Sequence, residues 1–191
     1  MNICVYGAAS DHIADIYKTA GEQLGEELAH RGHRLIFGGG AAGMMGAAAR
    51  GVTKGGGHMT GIAPSFFDVD GVLYGKCDEY IFTDTMRERK KRLERLSDGF
   101  IITPGGIGTF DEFFEILTLR QLNQHKKPLA LLNTGNYFRY MLDMLRFAAD
   151  EHFMSQENFE LFFVSDDVNA VLDYIEKPGK TVYNVSELRG L

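Results

Sequence analysis

The sequence predicts an α/β fold: a doubly wound, mainly parallel sheet with helices on both faces. Three observations predict it. Short apolar runs alternate with helical patterns five times along the chain. Most of the runs are continuously apolar, as strands buried on both faces of a parallel sheet are. Glycine-bearing turns follow the runs, and strand–turn–helix repeated in this way builds crossover units.

The elements follow in order. Asn2–Tyr6 (NICVY) is the first expected strand, and a helical pattern runs from His12 to Ala29. Arg34–Phe37 (RLIF) precedes a small-residue helix over Met44–Thr53. His58–Ala63 and Glu79–Phe82 are the third and fourth strands, the latter leading into a charged helix, Met86–Leu96. Phe100–Thr103 (FIIT) leads into a helix over Phe110–Leu122. Pro128–Leu132 precedes the last clear helix, Tyr137–His152. A further unit is expected between Leu161 and Lys177, whereas Pro178–Leu191 carries no pattern. No repeat or linker interrupts the 191 residues, so one domain spanning 1–191 is expected.

Composition narrows the function. Hydrophobic residues make up 45% and charged residues 24%, which excludes a disordered or collagen-like chain. Twenty cations against 26 anions give 20 − 26 = −6, a poor balance for coating nucleic acid or an anionic membrane. Cys4 and Cys77 cannot build a disulfide framework, and the six histidines show no metal-ligand spacing. With no run of about 18 apolar residues and no signal-like N-terminus, a soluble cytoplasmic protein is expected.

Three small-residue loops fall at expected strand ends: Gly7-Ala8-Ala9-Ser10, Gly38-Gly39-Gly40-Ala41-Ala42-Gly43 and Pro104-Gly105-Gly106-Ile107-Gly108-Thr109. Seven glycines in the last two exceed what turns alone require. Backbone that can approach a ligand closely, placed at helix starts, suits a phosphate. Gly38-x-Gly40-x-x-Gly43 matches the dinucleotide fingerprint in form only: it follows the second strand, and the next strand ends at Pro64 where an acid should meet the ribose. No Walker loop is present.

The helix Met86–Leu96 carries six cations and two anions, so +4, leaving −6 − 4 = −10 for the rest. Met86, Leu93 and Leu96 mark its apolar stripe. Arg89 shares that stripe and Lys90 flanks it, while Arg87, Lys91, Arg92 and Arg95 face solvent. An inward guanidinium is costly without an anion, either a structural carboxylate or a substrate phosphate. Two capping boxes are expected, Thr85 with Glu88 and Thr109 with Glu112. Asp111, Glu112 and Glu115 crowd the start of a helix that should also hold an anion, an arrangement suggestive of catalysis.

Pro104-Gly105-Gly106-Ile107-Gly108-Thr109-Phe110-Asp111-Glu112 matches P-G-G-x-G-T-x-x-E, and Met86-Arg87-Glu88-Arg89-Lys90 matches M-x-x-R-K. With these motifs the chain resembles, over nearly its whole length, the LONELY GUY family of cytokinin riboside 5′-monophosphate phosphoribohydrolases, often labelled lysine decarboxylases. The resemblance implies a Rossmann-like homodimer that hydrolyses the N-glycosidic bond of AMP-type nucleotides to free base and ribose 5-phosphate. It implies Arg89 and Glu112 as the catalytic pair. Substrate contacts are expected from Ser10, Gly39, Gly40, Met86, Lys90, Gly105, Gly106, Ile107, Gly108, Thr109, Asp111 and Thr118. No metal or cofactor is expected. Arg87 stands where the family commonly has His, Leu119 where it has Trp, and Ala8-Ala9 where two Ser or a Gly-Ser are usual; these departures bear on base preference. The chemistry is consistent: a carboxylate can stabilise an oxocarbenium-like sugar or activate the attacking water. The alternative is a non-catalytic nucleotide or cofactor carrier, which would keep the glycine loops and could lose the acid.

Overall fold

The computed structural model describes residues 1–179; the tail reading for Pro178–Leu191 falls almost wholly outside the described residues. The strands are β1 (Asn2–Tyr6), β2 (Arg34–Phe37), β3 (His58–Pro64), β4 (Glu79–Thr83), β5 (Gly99–Ile102), β6 (Leu129–Leu132) and β7 (Phe163–Ser165). They form one sheet in the order β4-β3-β2-β1-β5-β6-β7, every neighbouring pair parallel. Its helices are α1 (Asp15–His30), α2 (Gly43–Lys54), α3 (Met86–Leu96), α4 (Ile107–Gln121), α5 (Arg139–Asp150) and α6 (Val168–Glu176).

Period-2 geometry sorts the apolar side chains to two cores. Cys4, Tyr6, Ile36, Phe100 and Ile102 point to one face, where Leu93, Phe113, Ile116 and Leu142 from α3, α4 and α5 cover them. Ile3, Val5, Leu35, Phe37 and Ile101 point to the other, under Leu24, Val52 and Val171 from α1, α2 and α6. The inner stretches of the central strands (Ile3–Tyr6, Leu35–Phe37, Phe100–Ile102 and Leu129–Leu132) are therefore apolar throughout, while edge strands β4 and β7 are only partly covered. Arg31, just past α1, donates to Asp173 (2.7 Å) and Asn169 (2.8 Å), tying α6 to the α1 side.

The chain winds outward from β1 through β2 and β3 to β4, then returns to lay β5 on the other side of β1. A crevice opens where the winding reverses, between the loops that follow β1 and β5.

Most element ends shift by a residue or two from expectation, and three details matter more. Helix α1 begins at Asp15 rather than His12, because the His12 amide donates to Ser10 Oγ (3.3 Å) in a turn. The final unit resolves into β7 and α6, with Asp167 accepting the Asn169 amide at 2.8 Å as the cap. Helix α4 starts at Ile107, so Gly106 is its N-cap and Thr109 already lies inside the first turn. The expected Thr109–Glu112 capping box does not form. Glu112 is in the second turn, turned toward α3.

Candidate active site

Helix α3 is started by its capping box. Thr85 Oγ1 accepts the Glu88 amide (3.2 Å), and Glu88 Oε2 accepts the Thr85 amide (3.2 Å). That start fixes the helical phase and turns Arg89 inward, where it is 6% exposed, while Arg87, Lys91, Arg92 and Arg95 are exposed. Arg89 Nε donates to the Ile62 carbonyl near the end of β3 (3.0 Å), and Nη1 donates to Glu112 Oε1 (2.8 Å). The partner that the spacing left open is thus a carboxylate of the chain itself. Glu112 is 8% exposed. A buried pair of this kind is held by mutual need, and removing one partner costs roughly 3–5 kcal/mol.

Burial pushes the Glu112 carboxyl above its ordinary range; Arg89 pulls it down without cancelling the shift, and Asp111 adds to the rise. The floor beneath is dry. Burial, with the Glu112 charge adding to it, pushes the Cys4 thiol up to about 12, and burial also holds the Tyr6 phenol well above its usual value.

A cavity of about 280 Å³ opens above the pair. Met86, Arg89, Lys90, Gly106, Gly108, Thr109, Asp111 and Glu112, all expected at the site, line it together with Gly7, Ala8 and Ala9 of the loop after β1. The amides of Ile107, Gly108 and Thr109 begin α4 and have no acceptor within the helix, which leaves donors and the positive helix end for an anion. Lys90 bridges Asp111 (3.0 Å) and Glu115 beside the cavity.

Other expected residues lie elsewhere. Thr118 lines a second, open cavity of about 390 Å³ with Lys90, Asp111, Phe114, Glu115 and Leu119. Ser10 and Gly105 line a third, about 190 Å³, on the far side of Gly106 near Tyr17 and Tyr137. Ile107 is exposed at the start of α4 and lines none of these three. Gly39 and Gly40 do not reach the cavity. Gly39 is covered by Tyr80, whose hydroxyl donates to the Gly39 carbonyl (3.1 Å), and Gly40 bridges Leu73. Two lining residues, Met45 and Phe67, were missed by sequence reasoning. Phe67 had a signal: an aromatic pair, Phe66-Phe67, directly past a strand end.

Among the described residues no group of three His, Cys, Asp or Glu could hold a metal ion, and no helix is long and apolar enough to cross a membrane.

A sequence profile described as "Possible lysine decarboxylase" matches residues 45–175. The cytokinin riboside 5′-monophosphate phosphoribohydrolase LOG5 of Arabidopsis thaliana is 34% identical over 177 residues, covering 91% of this chain and 76% of that protein. LOG2 of the same plant is 34% identical over 175 residues, covering 92% and 82%. Among solved structures, the Moco carrier protein from Chlamydomonas reinhardtii superposes with a TM-score of 0.70 at 22% identity, covering 92% of this chain and 95% of that one. A molybdenum cofactor binding protein from Rippkaea orientalis gives 0.61 at 22% identity, covering 92% and 93%. These last two likenesses show the fold alone.

Proposed function

The chain belongs to the LOG family of cytokinin riboside 5′-monophosphate phosphoribohydrolases, and on that premise we propose that it hydrolyses the N-glycosidic bond of AMP-type nucleoside 5′-monophosphates, those of cytokinins included. The observation that carries this reading is the buried Arg89–Glu112 pair set beside the open amides of α4. The 5′-phosphate occupies those amides, which puts the sugar over Glu112. As the bond from C1′ to the base stretches, positive charge grows on the sugar, and the Glu112 carboxylate stabilises it or takes a proton from the attacking water. Water oxygen bonds to C1′, and the base leaves with the bond's electron pair and a proton. Arg89 holds Glu112 in place and ionised.

The same reading makes the protein a cytoplasmic homodimer. The apolar residues of α4, more than one core face needs, offer a dimer surface: Phe113 is wholly buried within the chain, whereas Phe110, Phe114 and Leu119 are half-buried. Tyr140, Met144 and Phe147 on α5 leave a further apolar stripe exposed. Sedimentation at micromolar concentration tests this assembly, and a monomer refutes it.

The activity is tested by incubating the protein with nucleoside monophosphates and assaying free base and ribose 5-phosphate. AMP is cleaved and adenosine, lacking the phosphate, is cleaved far more slowly. Equal turnover of the two defeats the phosphate assignment, and tight binding without turnover returns the chain to the carrier alternative.

A further inference from the structure

We propose that Phe67 is a specificity-determining residue of this site, its ring forming the wall against which the nucleobase lies. The proposal rests on the hydrolase reading and is carried by sheet order. Gly106–Thr109 follow β5 and Phe67 follows β3, with β1 and β2 between them. Three spacings of about 4.8 Å set the two ends of the crevice about 14 Å apart. Arg89 stands between them, bonded to Glu112 on the α4 side and to Ile62 on the β3 side. A nucleotide with its phosphate on the α4 amides and C1′ at Glu112 therefore extends its base toward β3. There the lining changes from amides and charges to Phe67, Met86 and Met45. An aromatic face with two polarisable thioethers suits a flat heteroaromatic ring.

The residues that hold Phe67 are specific. Ser65 Oγ donates to the Thr83 carbonyl (3.3 Å) at one end of the segment 65–72. At the other, the Ala41 amide donates to the Val72 carbonyl (3.0 Å) and the Tyr74 amide to the Gly39 carbonyl (2.9 Å). Between these ties Phe66 turns out to solvent, 60% exposed, while Phe67, 37% exposed, turns to the cavity; the two rings are perpendicular, 5.0 Å apart. The competing place for a base, the cavity of Phe114, Thr118 and Leu119, lies beyond Lys90 and its bonds to Asp111 and Glu115.

Phe67→Ala, Phe67→Leu, Phe66→Ala and Leu119→Ala are compared for KM and kcat on AMP, with calorimetric affinity for ribose 5-phosphate, which has no base. Phe67→Ala is expected to raise KM about tenfold with kcat less affected, to leave ribose 5-phosphate affinity unchanged, and to be partly rescued by Phe67→Leu. Phe66→Ala is expected to leave KM unchanged, and Leu119→Ala to change it less than Phe67→Ala does. Unchanged KM in Phe67→Ala, an equal loss for ribose 5-phosphate, or an effect confined to Leu119→Ala overturns the proposal. Should the parent protein fail to cleave AMP, the hydrolase reading alone falls, and calorimetric AMP affinities of the same variants still decide whether Phe67 meets the base.

Discussion

Two glycine loops of nearly the same composition end β2 and β5, and they do opposite things. The loop Gly38–Gly43 is closed. Asp11 Oδ1 already accepts the Gly43 amide at the start of α2 (2.8 Å), Tyr80 and Leu73 cover Gly39, and a Cβ at Gly38 would lie 2.1 Å from Arg89 Nη2. Its glycines make room for protein. The loop Gly105–Gly108 is open: a Cβ at Gly106 or at Gly108 would meet nothing within 4 Å. These two leave room for something else, whereas Gly105 is hemmed in, a Cβ there lying 2.1 Å from Thr109 Oγ1. A glycine motif at a helix start is thus only half a binding signal; the other half is whether the chain has already filled the helix end.

The contrast can be broken or sharpened by substitution. The largest effect is expected away from both loops, at the group they jointly serve. Glu112→Gln keeps a hydrogen-bonding side chain but loses the charge, and turnover of AMP should fall about 10²-fold or more with the fold intact by circular dichroism. An active variant returns Glu112 to a structural role. Next comes Gly38→Ala. The added methyl displaces an arginine tied at two points, so stability should drop by about 1–3 kcal/mol in urea unfolding, and turnover about tenfold or more as Arg89 shifts. Gly108→Ala should act the other way on stability, gaining up to about 1 kcal/mol from the better helix former, while KM for AMP rises several-fold because the methyl enters the anion's space. If Gly38→Ala and Gly108→Ala behave alike, the distinction between closed and open loops fails.

A smaller effect is expected in pH. Burial holds the Glu112 carboxyl above its ordinary range, and the proposed mechanism needs its ionised form, so activity is expected above that raised value and is expected to be lost as pH falls through it. Asp111→Asn removes a neighbouring negative charge that raises Glu112, and should move the acid limb of kcat to lower pH. Arg92→Ala, one turn along α3 on its solvent side, should be nearly silent in all these assays, which separates position from mere loss of charge.

The strands were legible because a parallel sheet buried on both faces leaves uninterrupted apolar runs, as in NICVY and FIIT. Arg89 was legible because a cation on an apolar stripe contradicts its surroundings. The start of α4 was not. Thr109 and Glu112 have capping-box spacing, but Gly106 makes the N-cap three residues earlier, and tertiary pairing with Arg89 claims Glu112. That Gly39 and Gly40 lie outside the cavity lining was not legible for a related reason: residues 73–80, distant in sequence, cover them, and no local pattern announces a cover. Phe67 was missed because the segment 65–72 has no periodicity to read.

Cys4 lies fully buried in β1, its thiol held neutral under the Arg89–Glu112 pair, while Cys77 is half-exposed. An alkylating reagent needs a thiolate it can touch, so Cys77 should react first and Cys4 only during excursions that lift α3 from the sheet. The slow phase of labelling then becomes a stopwatch for how often the floor of the site opens, wired into the protein without any added probe. Ligands that clamp α3 against α4 should slow that clock while the Cys77 phase runs on unchanged.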